Sequence, residues 1–175
     1  MKSKVLLLSF IMLFLCSCKN TSRIKNEIET LMGRRIEFLD GYHVLSANET
    51  LDFCDNGKIK VVSYIEDVKC TECTIKMLNK WIECVNSMSS DVEYVIVLAD
   101  VDTDIFDKQI KCLKKKCSVI SYDTDAFKMH NNLNVLARNR TFLLNDKNEI
   151  VLVGEPFGNE KMKLLYSEAI RKYIN

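Results

Sequence analysis

Residues 59–73 have the sequence IKVVSYIEDVKCTEC, in which an apolar run leads into the C-x-x-C motif Cys70-Thr71-Glu72-Cys73. The apolar run is rich in β-branched residues and predicts a strand, whereas the spacing of apolar residues after the motif predicts a helix. A thiol at the start of a helix lies near the positive end of the backbone dipole, which favours the reactive thiolate. The position of the motif between a strand and a helix therefore indicates redox chemistry.

The residues that follow the motif predict an alternating α/β order. Apolar side chains at helical spacing form a stripe broad enough for a helix that packs on a sheet, at Ile75, Leu78, Ile82 and Val85. Residues 92–99 predict a strand buried on both faces and paired with the first one. The later elements are a weaker helix, a short strand, a short helix, a hairpin and a last helix, at residues 100–116, 119–122, 123–132, 141–154 and 159–173. This order predicts a mixed central sheet covered by helices.

The N-terminus predicts export and lipid anchoring. Lys2 and Lys4 precede an apolar run over residues 5–15, which has the length of a signal-peptide core and is too short for a permanent membrane span. The run ends in the sequence LCSC, which resembles the lipobox of bacterial lipoproteins and implies an acylated Cys18. Cys18 would then hold the protein at a membrane of the bacterial cell envelope, facing the periplasm. An ordinary signal peptide cut elsewhere, or an uncleaved anchor, is the alternative.

These features predict the division of the chain. Residues 1–17 are expected to be the signal peptide, and residues 18–33 a lipid-anchored tether with a short helix that stops at Gly33. Residues 34–175 are expected to form one domain, which begins with short strands at residues 36–39 and 43–46.

The composition excludes some classes of function. The chain has 25 basic and 24 acidic side chains, a net charge of +1, and no basic stripe interleaved with aromatic residues. No nucleic-acid partner is therefore predicted. The sequence also lacks a glycine-rich phosphate cradle, and no cofactor is predicted.

At residues 57–174 the chain resembles the thioredoxin superfamily, through the strand, the C-x-x-C at a helix start, the second strand and helix, and the final hairpin and helix. The lipobox, residues 34–52 and the stretch 139–148 look like envelope thioredoxin-like lipoproteins of the Bacteroidetes. The resemblance implies a thioredoxin-like fold with an N-terminal extension, and disulfide exchange with a partner protein of the envelope. Cys70 would attack a partner disulfide as a thiolate, and Cys73 would resolve the mixed disulfide.

The sequence departs from the superfamily pattern at two places. Charged residues replace the aromatic residues that commonly precede the motif, and Arg140 stands where relatives have a cis-proline. A cis bond before a residue other than proline costs about 2.5–4 kcal/mol, so a trans bond before Arg140 is expected. The Arg140 guanidinium either lies near Cys70 and stabilises its thiolate, or points to solvent and marks a decayed active site. The second possibility favours a rival function, a redox-inert binding module in which Cys70 and Cys73 form a structural disulfide.

Several other residues are weaker candidates. Zinc would need ligands beyond the motif, from Cys54, Cys84, His43 or His130, but none of these forms a second motif, so no metal is predicted. Cys84 is expected to be a small buried apolar residue and His130 a surface or capping residue. Cys112 and Cys117 are near enough in sequence for a disulfide, although the sequence does not settle their pairing.

Two acidic residues lie between the first strand and the motif. Glu66 or Asp67 is a candidate proton acceptor for Cys73, with a solvated carboxylate as the commoner explanation.

Overall fold

A computed structural model describes residues 21–46, 56–66, 71–99, 117–122, 125–135 and 140–174. The described strands are β1 (His43–Ser46), β2 (Lys60–Ile65), β3 (Glu93–Ala99), β4 (Ser118–Tyr122), β5 (Thr141–Leu144) and β6 (Ile150–Val153). The described helices are α1 (residues 21–31), α2 (Thr71–Met88), α3 (Ala126–His130) and α4 (Glu160–Ile174). The helix predicted at residues 100–116 lies outside the described residues. Within the described ranges, no helix has both the length and the apolar content to cross a membrane.

The six strands form one mixed sheet in the order β1-β4-β3-β2-β5-β6. Strands β2, β3 and β4 are parallel neighbours, whereas β1, β5 and β6 each run antiparallel to the strand they pair with. The predicted pairing of the first strand with residues 92–99 and the predicted final hairpin are both confirmed. The mixed sheet therefore agrees with the order of apolar runs in the sequence.

The prediction of a strand at residues 36–39 is wrong. In this region Arg35 makes a single antiparallel bridge to Glu149, and no ladder follows it. The backbone of Glu37 is bonded instead to a side chain: Asn131 Oδ1 accepts from the Glu37 amide at 2.9 Å, and Asn131 Nδ2 donates to the Glu37 carbonyl at 2.9 Å. Because these bonds satisfy the backbone of Glu37 without a neighbouring strand, the segment is irregular. The side chain of Ile36 is nevertheless buried.

Alternate residues of the central strands face two apolar clusters, one on each side of the sheet. Val61 faces the cluster that contains residues of α2 and α4, whereas Val62 and Tyr64 face the cluster that contains Leu31 of α1 and Phe127 of α3. The helices thus cover both faces of the sheet, as predicted.

Candidate functional site

The C-x-x-C motif follows the end of β2 in the sequence. Glu66 follows the last residue of β2, and α2 begins at Thr71. Cys73 lies in the first turn of α2 and is exposed, whereas Cys70 lies outside the described residues. The strand-to-helix placement predicted for the motif is therefore confirmed for its described part, and Cys73 is an exposed residue at the start of the helix.

Arg140 is brought to the same edge by the antiparallel pairing of β5 with β2. The amide of Tyr64 donates to the carbonyl of Arg140 at 2.9 Å, and Thr141 is the register partner of Ser63. The Arg140 guanidinium carbon lies 5.8 Å from the centre of the Tyr64 ring, and the side chain is only 16% exposed. This geometry is not that of an arginine directed to solvent. The bond before Arg140 includes Asn139, which is outside the described residues, so the expected trans peptide stays a prediction.

A cluster of charged side chains surrounds Glu66, and we call Tyr64, Glu66, Asp125, Lys128 and Arg140 the Glu66 cluster. One carboxylate oxygen of Glu66 pairs with Arg140 Nη1 and the other with Lys128 Nζ. Lys128 also lies 3.5 Å from Asp125, which accepts a long hydrogen bond of 3.5 Å from the Tyr64 hydroxyl. The cluster therefore joins the end of β2, the start of β5 and helix α3.

The charges of the cluster shift the titration of its members. The hydrogen bond from Lys128, with the nearby guanidinium of Arg140, lowers the pKa of Glu66. Burial raises the pKa of Tyr64, and the neighbouring carboxylates of Asp125 and Glu66 raise it further. A carboxylate with a lowered pKa is a weak proton acceptor. Glu66 is therefore poorly suited to act as the base for Cys73, and Asp67 lies outside the described residues.

Cys84 and Cys117 carry free thiols in the structure. Burial raises the pKa of Cys117 to about 12. Cys84 is only half-buried, so the prediction of a buried residue is wrong, although partial burial still raises the pKa of its thiol. The charged residues Glu160 and Lys163 of α4 act on the pKa of this thiol in opposite directions. Cys112, the possible partner of Cys117, lies outside the described residues.

The candidate metal ligands do not converge in the described part of the chain. His130 is exposed and its Nε2 lies 2.6 Å from a carboxylate oxygen of Glu37, which confirms the prediction of a surface residue. His43 belongs to the edge strand β1. Among the described residues, no group of three His, Cys, Asp or Glu side chains is arranged to hold a metal ion.

A buried group of hydroxyls near the site was not predicted from the sequence. Ser63 Oγ lies 3.0 Å from the Tyr94 hydroxyl and 3.1 Å from Thr141 Oγ1. All three residues are buried, and burial raises the pKa of Tyr94. The only sequence signal was one serine inside an apolar strand. These contacts satisfy polar groups that would otherwise destabilise the core below α2.

Comparison with known proteins bears on the fold. No protein-family model matches the chain, and no curated protein matches it. Among solved structures, the thioredoxin domain of a thiol-disulfide oxidoreductase from Bacteroides vulgatus is similar, with 13% identity, a TM-score of 0.54 and coverage of 79% of this chain and 97% of that one. The bacterioferritin comigratory protein from Xanthomonas campestris, described with an alkyl peroxide reduction activity, has 11% identity, a TM-score of 0.52 and coverage of 79% and 91%.

These similarities show which fold the chain adopts. The mixed sheet covered by helices on both faces is a thioredoxin-like α/β fold. The fold predicted from the C-x-x-C motif and its flanking elements is therefore confirmed.

Proposed function

We propose that the protein is a thiol-disulfide oxidoreductase of the bacterial envelope that exchanges disulfides with a partner protein through Cys70 and Cys73. The observation that carries the proposal is the exposed Cys73 in the first turn of α2, at the edge of a thioredoxin-like sheet where β2 ends. A C-x-x-C at a helix start combines an accessible thiol with the backbone groups that favour a thiolate. The thiol-disulfide oxidoreductase from Bacteroides vulgatus has the same fold.

The proposed reaction transfers two electrons between dithiols. The Cys70 thiolate attacks one sulfur of a partner disulfide, and the other partner sulfur leaves as a thiolate. Cys73, after loss of its proton, then attacks the Cys70 sulfur of the mixed disulfide and releases the second partner thiolate. The partner disulfide is reduced and a Cys70–Cys73 disulfide forms, and the reverse sequence oxidises a partner dithiol.

A trapping experiment tests this function. Cys73→Ser removes the resolving thiol, so a mixed disulfide between Cys70 and its partner should accumulate in the envelope and disappear on reduction. Cys84→Ser is the matched control, because Cys84 is a half-buried thiol on the same helix. If Cys73→Ser traps no partner and Cys70 stays inert to alkylation at neutral pH, the redox-inert binding module is the better description.

We also propose that Cys18 carries the lipid that anchors the protein to a membrane. The proposal depends on the lipobox-like sequence at residues 15–18. Cys18→Ser should move the protein from the membrane fraction to the soluble envelope fraction and abolish labelling with a radioactive fatty acid. An unchanged distribution with continued labelling would contradict it.

A further inference from the structure

A cleft lies between α1 and the segment that follows α3. Its volume of about 580 Å³ falls within the range of roughly 300–1,000 Å³ that is usual for small-molecule sites. Leu31 of α1 and Phe127 of α3 belong to one apolar cluster, whereas the residues of α2 belong to the cluster on the other side of the sheet. The cleft is therefore separate from the proposed dithiol site. We call it the Arg34 cleft, and the polar residues of its lining that matter here are Arg23, Asn26, Glu27, Arg34, Asn132 and Asn134.

Contacts of both backbone and side chain fix the position of Arg34. Its amide donates to the carbonyl of Leu31 at 3.1 Å, and its carbonyl accepts from the amide of Ile150 at 2.8 Å. Its Nη2 donates to the carbonyl of Asn131, a buried residue, at 2.9 Å. The half-buried side chain is thus held in place before a ligand arrives, which reduces the entropy that binding costs.

The Arg34 guanidinium carries the uncompensated charge of the cleft. The other two charged residues of the lining pair with each other, with Arg23 Nε 3.0 Å from Glu27 Oε1. Arg34 donates to a neutral carbonyl instead, and among the described residues no carboxylate forms an ion pair with it. Partial burial removes some of the water around this cation, so an anion that replaces the lost solvation is favoured.

Neutral hydrogen-bonding groups surround this charge. Asn26, Asn132 and Asn134 are exposed in the lining, and within the described ranges their side chains make no hydrogen bond to the protein. A guanidinium binds two oxygens of a phosphate at once, and side-chain amides can donate to the oxygens that remain. Leu31 and Val135 add apolar surface to the lining, which suits the organic part of a phosphate ester.

We propose that the Arg34 cleft binds a phosphate ester, and that Arg34 holds its phosphate group. Arginine is suited to this role because its planar fork of donors matches the geometry of a phosphate. Two sources carry the same chemistry, a soluble phosphate ester and the headgroup of an anionic phospholipid.

Thermal unfolding of the full-length protein in micelles of an uncharged detergent tests the proposal. Glycerol phosphate in solution is the probe for a soluble ester, and phosphatidylglycerol mixed into the micelles is the probe for a lipid headgroup. A ligand that binds the folded state raises Tm in a saturable manner, from which an apparent Kd follows. The probe that gives the larger rise identifies the source. Succinate at the same ionic strength measures the effect of charge alone and should raise Tm less.

Three variants test the residues of the cleft. Arg34→Gln should raise the apparent Kd by about ten- to a hundredfold, because hydrogen bonds to a charged group are lost. Arg35→Gln is the matched control, since Arg35 is exposed, carries the same charge and lies outside the lining, and it should leave Kd unchanged. Asn134→Asp puts a negative charge into the cleft at an exposed position and should also raise Kd, which keeps the test decisive if Arg34→Gln does not fold.

The outcomes bear on this site alone. No saturable rise with either probe, or equal Kd values for wild type and Asn134→Asp, would overturn the phosphate site. A rise of the same size with succinate would overturn its preference for phosphate. Because no thiol takes part in these measurements, failure of this site is distinguishable from failure of the proposed dithiol reaction.

Discussion

The ammonium group of Lys60 donates a hydrogen bond of 2.9 Å to Oδ1 of Asn148 inside the protein. Lys60 lies at the start of β2 with none of its surface exposed, and its Nζ also donates to the carbonyl of Lys58 at 3.1 Å. Asn148 belongs to the turn between β5 and β6 and has a φ of 61°, in the left-handed region. Burial of a lysine is costly without hydrogen-bonding partners. This contact therefore stabilises both the lysine and the turn that approaches it.

Substitutions at Asn148 should separate the stabilisation from its hydrogen bond to Lys60 from the stabilisation that comes from its tolerance of a left-handed backbone. Asn148→Gly keeps a residue that tolerates the positive φ but removes the acceptor of Lys60, and should destabilise the fold by about 1–3 kcal/mol. Asn148→Ala should cost about 1 kcal/mol more, because the left-handed conformation strains its Cβ. Urea unfolding measures both differences. Asp146→Ala, an exposed position in the same turn, is the control; equal losses for Gly and Ala at position 148 would contradict the role of backbone strain.

Phe127 of α3 packs against three other aromatic rings in the apolar cluster on its side of the sheet. Its ring lies 5.8 Å from those of Phe38 and Tyr64 and 5.6 Å from that of Tyr122, and the residue is 1% exposed. Phe127→Ala should therefore reduce the free energy of unfolding by about 3–5 kcal/mol, through lost burial and a cavity. Met129→Ala on the same helix is the control, because Met129 is 71% exposed and should change stability little. A small loss for Phe127→Ala in denaturant unfolding would argue against this packing.

Glu155 should make stability depend on pH. Burial raises the pKa of its carboxyl group, so the folded state favours the protonated form. The resulting stabilisation is fully present below the pKa of the unfolded chain and is lost as the pH rises through the raised pKa of the folded state. Glu155→Gln, which cannot ionise, should raise Tm relative to wild type at pH 7 and lose this advantage at pH 4. An equal effect of the substitution at both pH values in thermal unfolding would show that its charge is not involved.

The cysteines should differ in their reactivity in the native protein. Cys117 is 6% exposed and has its pKa raised to about 12 by burial, whereas Cys73 is exposed. At pH 8 the thiolate fraction of Cys117 should be about one in ten thousand, so its alkylation should require unfolding. Timed labelling of the reduced protein with iodoacetamide, followed by peptide mass spectrometry, should show Cys73 modified before Cys117. Equally fast labelling of both in the folded state would contradict the burial of Cys117.

Much of the fold could be predicted from the sequence because its elements carry strong local patterns. The apolar runs of β2 and β3 and the stripe of α2 indicated a buried parallel pair covered by a helix, and the structure has this arrangement. Residues 36–39 are apolar except for Glu37, yet they make no strand, since Asn131 bonds to the backbone of Glu37 from a distant part of the chain. Apolar character alone did not distinguish strand pairing from capping by a side chain.

The candidate site was predicted less completely because its contacts are distant in sequence. The C-x-x-C motif could be recognised locally, and the alignment with relatives marked Arg140. The pairing of Glu66 with Arg140 and with Lys128 of α3 depends on the register between β2 and β5 and on the packing of a short helix. The burial of Lys60 could not be predicted for a similar reason, because its hydrogen-bond partner Asn148 lies 88 residues away.

The bridge between Arg35 and Glu149 is part of a longer set of backbone contacts. Gly33 and Arg34 exchange hydrogen bonds with Ile150, each of 2.8 Å, and the amide of Ile36 donates to the carbonyl of Asn148 at 2.8 Å. Residues 33–36 of the N-terminal extension therefore lie against the first residue of β6 and the turn before it, and they shield part of an edge that could otherwise recruit a strand from another molecule. Removal of the extension would leave that backbone open and should make the domain prone to self-association.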